Sequence, residues 1–334
     1  MKHIKLMVIL AFVFSAARAQ DPQFSQFYSS PLYLAPSFAG ATGGGRAILN
    51  FRDQWPQLAS TYITYAISAD YYYDKYKSGI GLLVLRDQAG EDGMMNTTTA
   101  GLVYSYNFDV SPKWSIRPGL SAYYYTRSIN FNAFRFGDQI LRGDNYGNAG
   151  SSVEMTTLEN LEPVSHVDFA TSVMAYSETY WFGFTVDHLM YYSKILSEQG
   201  DYLPPRYSAF GGAKYMIYGN TLKRKEESIT VAMNFMTQNK LKYLDLGFYY
   251  TKEPIIFGIW YRGLPIFPDN PNVGALTLSV GFKYKGMHIG YSYDFTLTRL
   301  VNQTGGAHEI SLSYVFNEHK KRRNRHKMVP CPAM

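Results

Sequence analysis

The chain has 334 residues and is rich in Tyr (30), Phe (21) and Gly (28), with only 17% charged residues. Soluble proteins carry about a quarter charged residues, so much of this surface is expected to face something other than water. The formal charge of +6 sits at the ends: residues 1–19 carry +3 and residues 318–334 carry +5, which leaves −2 for the body and speaks against a nucleic-acid-binding fold.

The N-terminus combines Lys2 and Lys5 with an apolar run, Leu6–Phe14, and small residues at Ser15, Ala16, Ala17 and Ala19. This is the layout of a secretory signal peptide over residues 1–19, with cleavage expected between Ala19 and Gln20. The run is far shorter than the roughly 20 residues a helix needs to cross a bilayer. Later apolar runs are each broken by Gly or a polar residue, so a membrane role must use strands. The single cysteine, Cys331, allows no internal disulfide, and no Cys stands beside the cleavage point to accept lipid.

Residues 20–45 hold too much Pro and Ser for a membrane strand, yet carry Phe24, Phe27, Tyr28, Leu32, Tyr33, Leu34 and Phe38. Exposed, that apolar set would be a liability. The segment is expected to plug the barrel mouth partly or to pack on a partner; a flexible leader is the alternative.

From 46 to 317 the recurring signal is alternation with a period of two. Met287, Ile289, Tyr291, Tyr293, Phe295 and Leu297 oppose His288, Gly290, Ser292, Asp294, Thr296 and Thr298. Leu276, Leu278, Val280, Phe282 and Tyr284 form another such face, as do Leu102, Tyr104, Tyr106 and Phe108, with Val103 a misfit, and Ile310, Leu312, Tyr314 and Phe316, with Val315 a misfit. One face is large and apolar with aromatic ends; the other is small or polar. That pattern predicts an all-β fold, a transmembrane antiparallel β-barrel whose outside meets lipid. About fourteen strands are expected from the turn signals, near 46–54, 60–74, 79–87, 96–109, 114–130, 167–176, 180–189, 206–218, 228–238, 241–251, 255–263, 275–285, 287–299 and 307–316.

Sorted by length, the connections Gln88–Met95, Asn132–His166, Tyr191–Pro205 and Leu264–Gly274 belong outside. Ser111-Pro112, Ser177–Thr179, Lys252-Glu253 and Lys285-Gly286 belong inside. Strict alternation through fourteen segments is not expected to reproduce every one of these, Asn220–Glu227 and the link at Asn239 being the weakest points. Both chain ends are expected to be periplasmic. Residues 318–334 form a polar tail carrying Lys320, Arg322, Arg323 and Arg325, read either as a solvated run of like charges or as a docking arm for an acidic partner or anionic head groups.

The opening Asp21-Pro22-Gln23-Phe24-Ser25-Gln26-Phe27-Tyr28, followed by Ser30-Pro31-Leu32-Tyr33-Leu34-Ala35-Pro36-Ser37-Phe38-Ala39-Gly40, resembles the start of the PorP/SprF family. Phe136-Gly137-Asp138-Gln139-Ile140, Gly290–Leu297, Gly305–Tyr314 and Val329-Pro330-Cys331-Pro332 are similar to further stretches of that family, in its order. The resemblance implies an outer-membrane component of the type IX secretion and gliding machinery. It implies support for the export and surface attachment of proteins such as adhesins that carry a C-terminal export domain. Expected partners are such cargo, the translocon or periplasmic ring components, and the lipid and lipopolysaccharide of the outer membrane. No enzymatic activity or cofactor is implied. Candidate partner-binding residues are Phe24, Phe27, Tyr28, Phe136, Asp138, Gln139, Lys320, Arg322, Arg323 and Arg325.

Other readings are weaker. Arg46, Arg52, Asp70, Asp245, Arg262, Lys283 and Asp294 are expected on the inner face, either paired or lining a solute path, which keeps a small-solute channel as the alternative function. His188, in Asp187-His188-Leu189, has no nucleophile motif to serve as a base. Seven His and one Cys show no metal-ligand spacing. Glu91-Asp92 lacks the acidic ladder of a calcium loop, and Gly43-Gly44-Gly45 leads into a strand and cradles no phosphate.

Overall fold

A computed structural model describes residues 21–58, 61–90, 93–130, 163–190, 203–218, 226–239, 241–264, 274–297, 304–317 and 329–331. The strands are β1 (Gly45–Gln54), β2 (Tyr62–Tyr73), β3 (Ser78–Ala89), β4 (Met95–Tyr106), β5 (Phe108–Asp109), β6 (Ser115–Ile129), β7 (Val164–Tyr176), β8 (Tyr180–Asp187), β9 (Arg206–Tyr218), β10 (Glu227–Gln238), β11 (Leu241–Lys252), β12 (Ile255–Arg262), β13 (Ala275–Tyr284), β14 (Met287–Thr296) and β15 (Ala307–Phe316). The stub β5 prolongs β4 along β6, so the wall has fourteen staves. All pair antiparallel with their chain neighbours, and β1 closes on β15 from Gly45↔Phe316 to Gln54↔Ala307. Closure removes the free edges that lipid cannot hydrogen-bond.

Alternation decides which side chains face out. Leu49, Ile67, Leu102, Leu120, Phe182 and Phe257 lie exposed on the outer face, while Ser68, Ser105, Ser121, Ser172, Ser292 and Ser311 are buried inside. Tyr73, Phe108, Tyr180, Tyr215, Tyr284 and Tyr314 ring one end, where aromatic side chains suit a membrane interface. Among the described residues no helix is long and apolar enough to cross a membrane.

Strict alternation holds, contrary to expectation. Connections 74–77, 110–114, 177–179, 219–226, 253–254 and 285–286 share one end, the turn end, with Gly45 and Phe316; 55–61, 90–94, 130–163, 188–205, 239–240, 263–274 and 297–306 share the other, the long-loop end. Every outside and inside pair named above falls on its proper end. Length misled at two places: 219–226 is a longer connection on the turn end and 239–240 a tight one on the long-loop end.

Residues 21–44 occupy the lumen. A 3-10 turn (Phe27–Ser29), the short helix α1 (Pro31–Leu34) and a second 3-10 turn (Pro36–Phe38) carry Phe27, Tyr28, Leu32 and Phe38 into a core with Met174, Tyr176, Trp181, Phe210 and Trp260 of the wall. Proline at the first position of α1 suits a helix start, where an N–H has no partner anyway. This apolar filling explains Val103, the misfit of the outward pattern: it faces inward and packs in the same core.

Candidate functional site

The lumen segment is fixed by polar contacts along its whole length. Toward the long-loop end, the Glu309 carboxylate accepts the backbone N–H groups of Ser25 (2.6 Å) and Gln26 (3.0 Å) and pairs with Arg52 at 3.1 Å. Asp294 pairs with Arg52 at 3.0 Å and with Arg262 at 2.9 Å, and both guanidiniums donate to Ser25 Oγ. Two carboxylates facing two guanidiniums, with backbone donors filling remaining lone pairs, is the arrangement a buried ion cluster needs to offset its desolvation. At the turn end, Gly40 N donates to Asp70 (2.8 Å), Ala39 O accepts from Ser105 Oγ (2.7 Å) and Arg117 (3.2 Å), and Arg46 pairs with Asp70 at 2.9 Å.

The long-loop end holds the start of the segment. Asp21 Oδ2 accepts from His188 Nε2 (2.7 Å) and Arg206 Nη1 (3.0 Å); Asp168 holds His188 Nδ1 at 2.6 Å, and Asp187 takes two bonds from Arg206 at 3.0 and 2.9 Å. Asp21 therefore lies at the opposite end of the barrel from Gly45 and Phe316, so the wall's two ends share a side but the lumen segment begins on the other. Asp187 and His188 both face inward because His188 has φ +60° and the Leu189 N–H, in place of its own, reaches the Phe169 carbonyl. Such a bulge re-aims a side chain that alternation would send outward.

Burial works against a charged imidazolium at His188, but the charge of Asp21 and the bond to Asp168 overcome it and raise its pKa to about 9. Burial likewise opposes ionisation of Asp21, and the charges of His188 and Arg206 outweigh it, holding that carboxyl well below the usual carboxylate range.

The other chain end also enters the barrel. Val329 is buried in the core that holds Phe27 and Tyr28, with Cys331 packed against it. Burial pushes the Cys331 thiol up to about 11, against the nearby cations Arg46 and Lys214. The tail is therefore not solvated throughout.

The inner-face charges read from the alternation all point inward, and among them Arg46, Arg52, Asp70, Arg262, Lys283 and Asp294 are ion-paired, Lys283 with Glu226 and Glu253 at 3.6 and 3.0 Å. Asp245 instead accepts from the Gly263 N–H at 2.8 Å. Of the candidate partner residues, Phe24, Phe27 and Tyr28 are buried against the wall. Ala19, Gln20, Phe136, Asp138, Gln139, Lys320, Arg322, Arg323 and Arg325 lie outside the described residues. The Asp21, Asp168, Asp187, His188 and Arg206 cluster was not singled out in the sequence. Its signals are the inward parities of Asp168, Asp187 and Arg206 on their strands, since the bulge at His188 leaves no pattern.

Among solved structures, the Ralstonia pickettii toluene transporter TbuX matches at 10% identity with TM-score 0.50, over 86% of this chain and 94% of its own. The monoaromatic hydrocarbon channel CymD matches at 12% identity with TM-score 0.49, over 87% and 94%. The Acinetobacter baumannii outer membrane protein Omp33 matches at 7% identity with TM-score 0.43, over 81% and 98%. At such identities the likeness is one of fold, an outer-membrane barrel. No curated protein matches the chain. The description "Type IX secretion system membrane protein PorP/SprF" belongs to the family profile that matches residues 16–314, nearly the whole chain, and this protein is a member of that family.

Proposed function

We propose that this type IX secretion component supports export and cell-surface attachment of secreted proteins such as adhesins, by holding their C-terminal export domain at the long-loop end. The observation that carries the reading is the filled lumen. Residues 21–44 run from the long-loop end to the turn end with their large side chains buried, and Val329–Cys331 packs beneath them. A barrel filled in this way offers its loops and rims for binding. It works as an anchor, without catalysis or a cofactor, in the outer membrane. Its expected partners are cargo, the translocon or periplasmic ring, and the surrounding lipid and lipopolysaccharide.

The test is deletion of residues 132–162, which stops short of β7, in a barrel that still assembles. Loss of surface display of the cargo is the expected result; unchanged display of every candidate cargo would overturn the capture mechanism. The alternative, a diffusion or uptake channel for small solutes, requires the lumen segment to leave, and purified barrel would then conduct ions.

A further inference from the structure

The wall at the long-loop end holds a site shaped for a carboxylate, independent of the export role. Three donors from three different strand ends meet one oxygen, Asp21 Oδ2: His188 Nε2 at 2.7 Å, Arg206 Nη1 at 3.0 Å and Gln238 Nε2 at 3.4 Å. Each donor has a partner other than Asp21, and Arg206 Nη1 donates in addition to the Tyr33 hydroxyl of the lumen segment at 3.2 Å. Asp168 fixes the imidazole, Asp187 clamps the guanidinium through two bonds, and the Pro204 carbonyl accepts from Gln238 at 3.3 Å. The arrangement is preorganised, so removing Asp21 leaves its donors in place.

Beside Asp21 lies a cavity of about 20 Å³, enough for about one water molecule, bordered by Thr97, Tyr125, Arg127 and His166. Arg127 donates from Nε to Thr97 Oγ1 at 3.1 Å, and its buried Nη1 has no hydrogen-bond partner among the described residues. The rings of Tyr125 and His166 stack with centroids 5.2 Å apart, giving the cavity an aromatic wall. An unpartnered buried guanidinium nitrogen is costly and marks a place where an acceptor belongs.

We propose that His188, Arg206 and Gln238 form a carboxylate receptor, that Asp21 is its internal ligand, and that an external carboxylate entering beside Arg127 exchanges with Asp21 and frees the start of the lumen segment. The ligand is a carboxylate from either of two sources, a small organic acid or the free C-terminus of a peptide. No bond is made or broken; one carboxylate replaces another.

The experiment uses the full-length mature barrel in detergent. Asp21→Ala removes the carboxylate group and keeps the Cβ, so acetate, a small free carboxylate, is the first probe. The thermal midpoint of D21A is expected to rise with acetate and to saturate, with no rise in chloride at equal ionic strength. Gln238→Ala in that background, a mild change, is expected to weaken acetate by about threefold to tenfold, one hydrogen bond's worth. In the native protein, excess carboxylate is expected to increase amide exchange across residues 21–26. A response to acetate or benzoate alone assigns the site to small acids; a response to a peptide with a free C-terminus, absent when that terminus is amidated, assigns it to protein ends. Indistinguishable effects of acetate and chloride on D21A would overturn the receptor. Rescue of D21A with no loosening of the native segment by any carboxylate would overturn the exchange.

Discussion

At His188 a φ of +60° breaks the alternation of β8 and brings imidazole and Asp187 carboxylate into the lumen side by side. The consequence is a pH dependence with two limits. His188 binds its proton more tightly folded than unfolded, so its contribution is complete below its ordinary value of 6.5 and is lost as pH rises through about 9. Asp21 has a depressed pKa, so its contribution is present above its ordinary 3.8 and is lost as pH falls below that value. Amide exchange of residues 21–24, corrected for its intrinsic pH dependence, should be flat between pH 3.8 and 6.5, should rise from 6.5 to about 9, and should rise again below 3.8. His188→Asn should remove the alkaline step and leave the acid one. Arg52 gives a second prediction: Arg52→Ala strips Glu309 of its ion pair in the lumen and should destabilise the barrel by about 3–5 kcal/mol, read from thermal or urea unfolding. At this scale parity alone placed the inner-face charges correctly, because a period of two admits only two faces. It could not supply the partners. Arg52 meets Asp294 and Glu309 across more than two hundred residues of sequence, and the bulge at His188 is a backbone event with no residue signature.

The lumen segment is the element on which the reading turns. Two wall glycines leave room for it: a Cβ on Gly79 would stand 2.1 Å from Ala39 O, and one on Gly119 would stand 2.3 Å from Ser37 N. Both obstacles are backbone atoms that cannot swing aside. Gly119→Val should therefore displace the segment and cost about 1–3 kcal/mol of stability, the range for overpacking; an unchanged unfolding midpoint would contradict the close approach. At the other chain end, Cys331 combines burial with a raised pKa, so a maleimide should label it slowly in the folded barrel and rapidly after unfolding. Fast labelling of the folded protein would place the C-terminus outside. The apolar content of residues 20–45 showed that something must cover them, because seven large apolar side chains do not stay in water. Nothing local told whether the cover was the barrel or a partner, and the burial of Val329–Cys331 had no local signal at all, three residues being too few to carry a pattern.

For the whole molecule, the strands were legible because each repeats one chemistry: apolar outside for lipid, small or polar inside. Fourteen segments were read and fourteen staves are present, with ends differing by a few residues, as at 287–299 against Met287–Thr296. The direction of each connection was harder to read, because length is a weak guide to side when one turn-end link is long and one long-loop link is tight. The filled lumen and the membership in a secretion family lead to a barrel that works by binding at its rims. Mass spectrometry of proteins that co-purify with the tagged full-length barrel in mild detergent tests that claim most directly. The account predicts surface proteins sharing a C-terminal domain, together with secretion-ring or translocon components. A barrel recovered alone, and conducting ions in a planar bilayer, would contradict it.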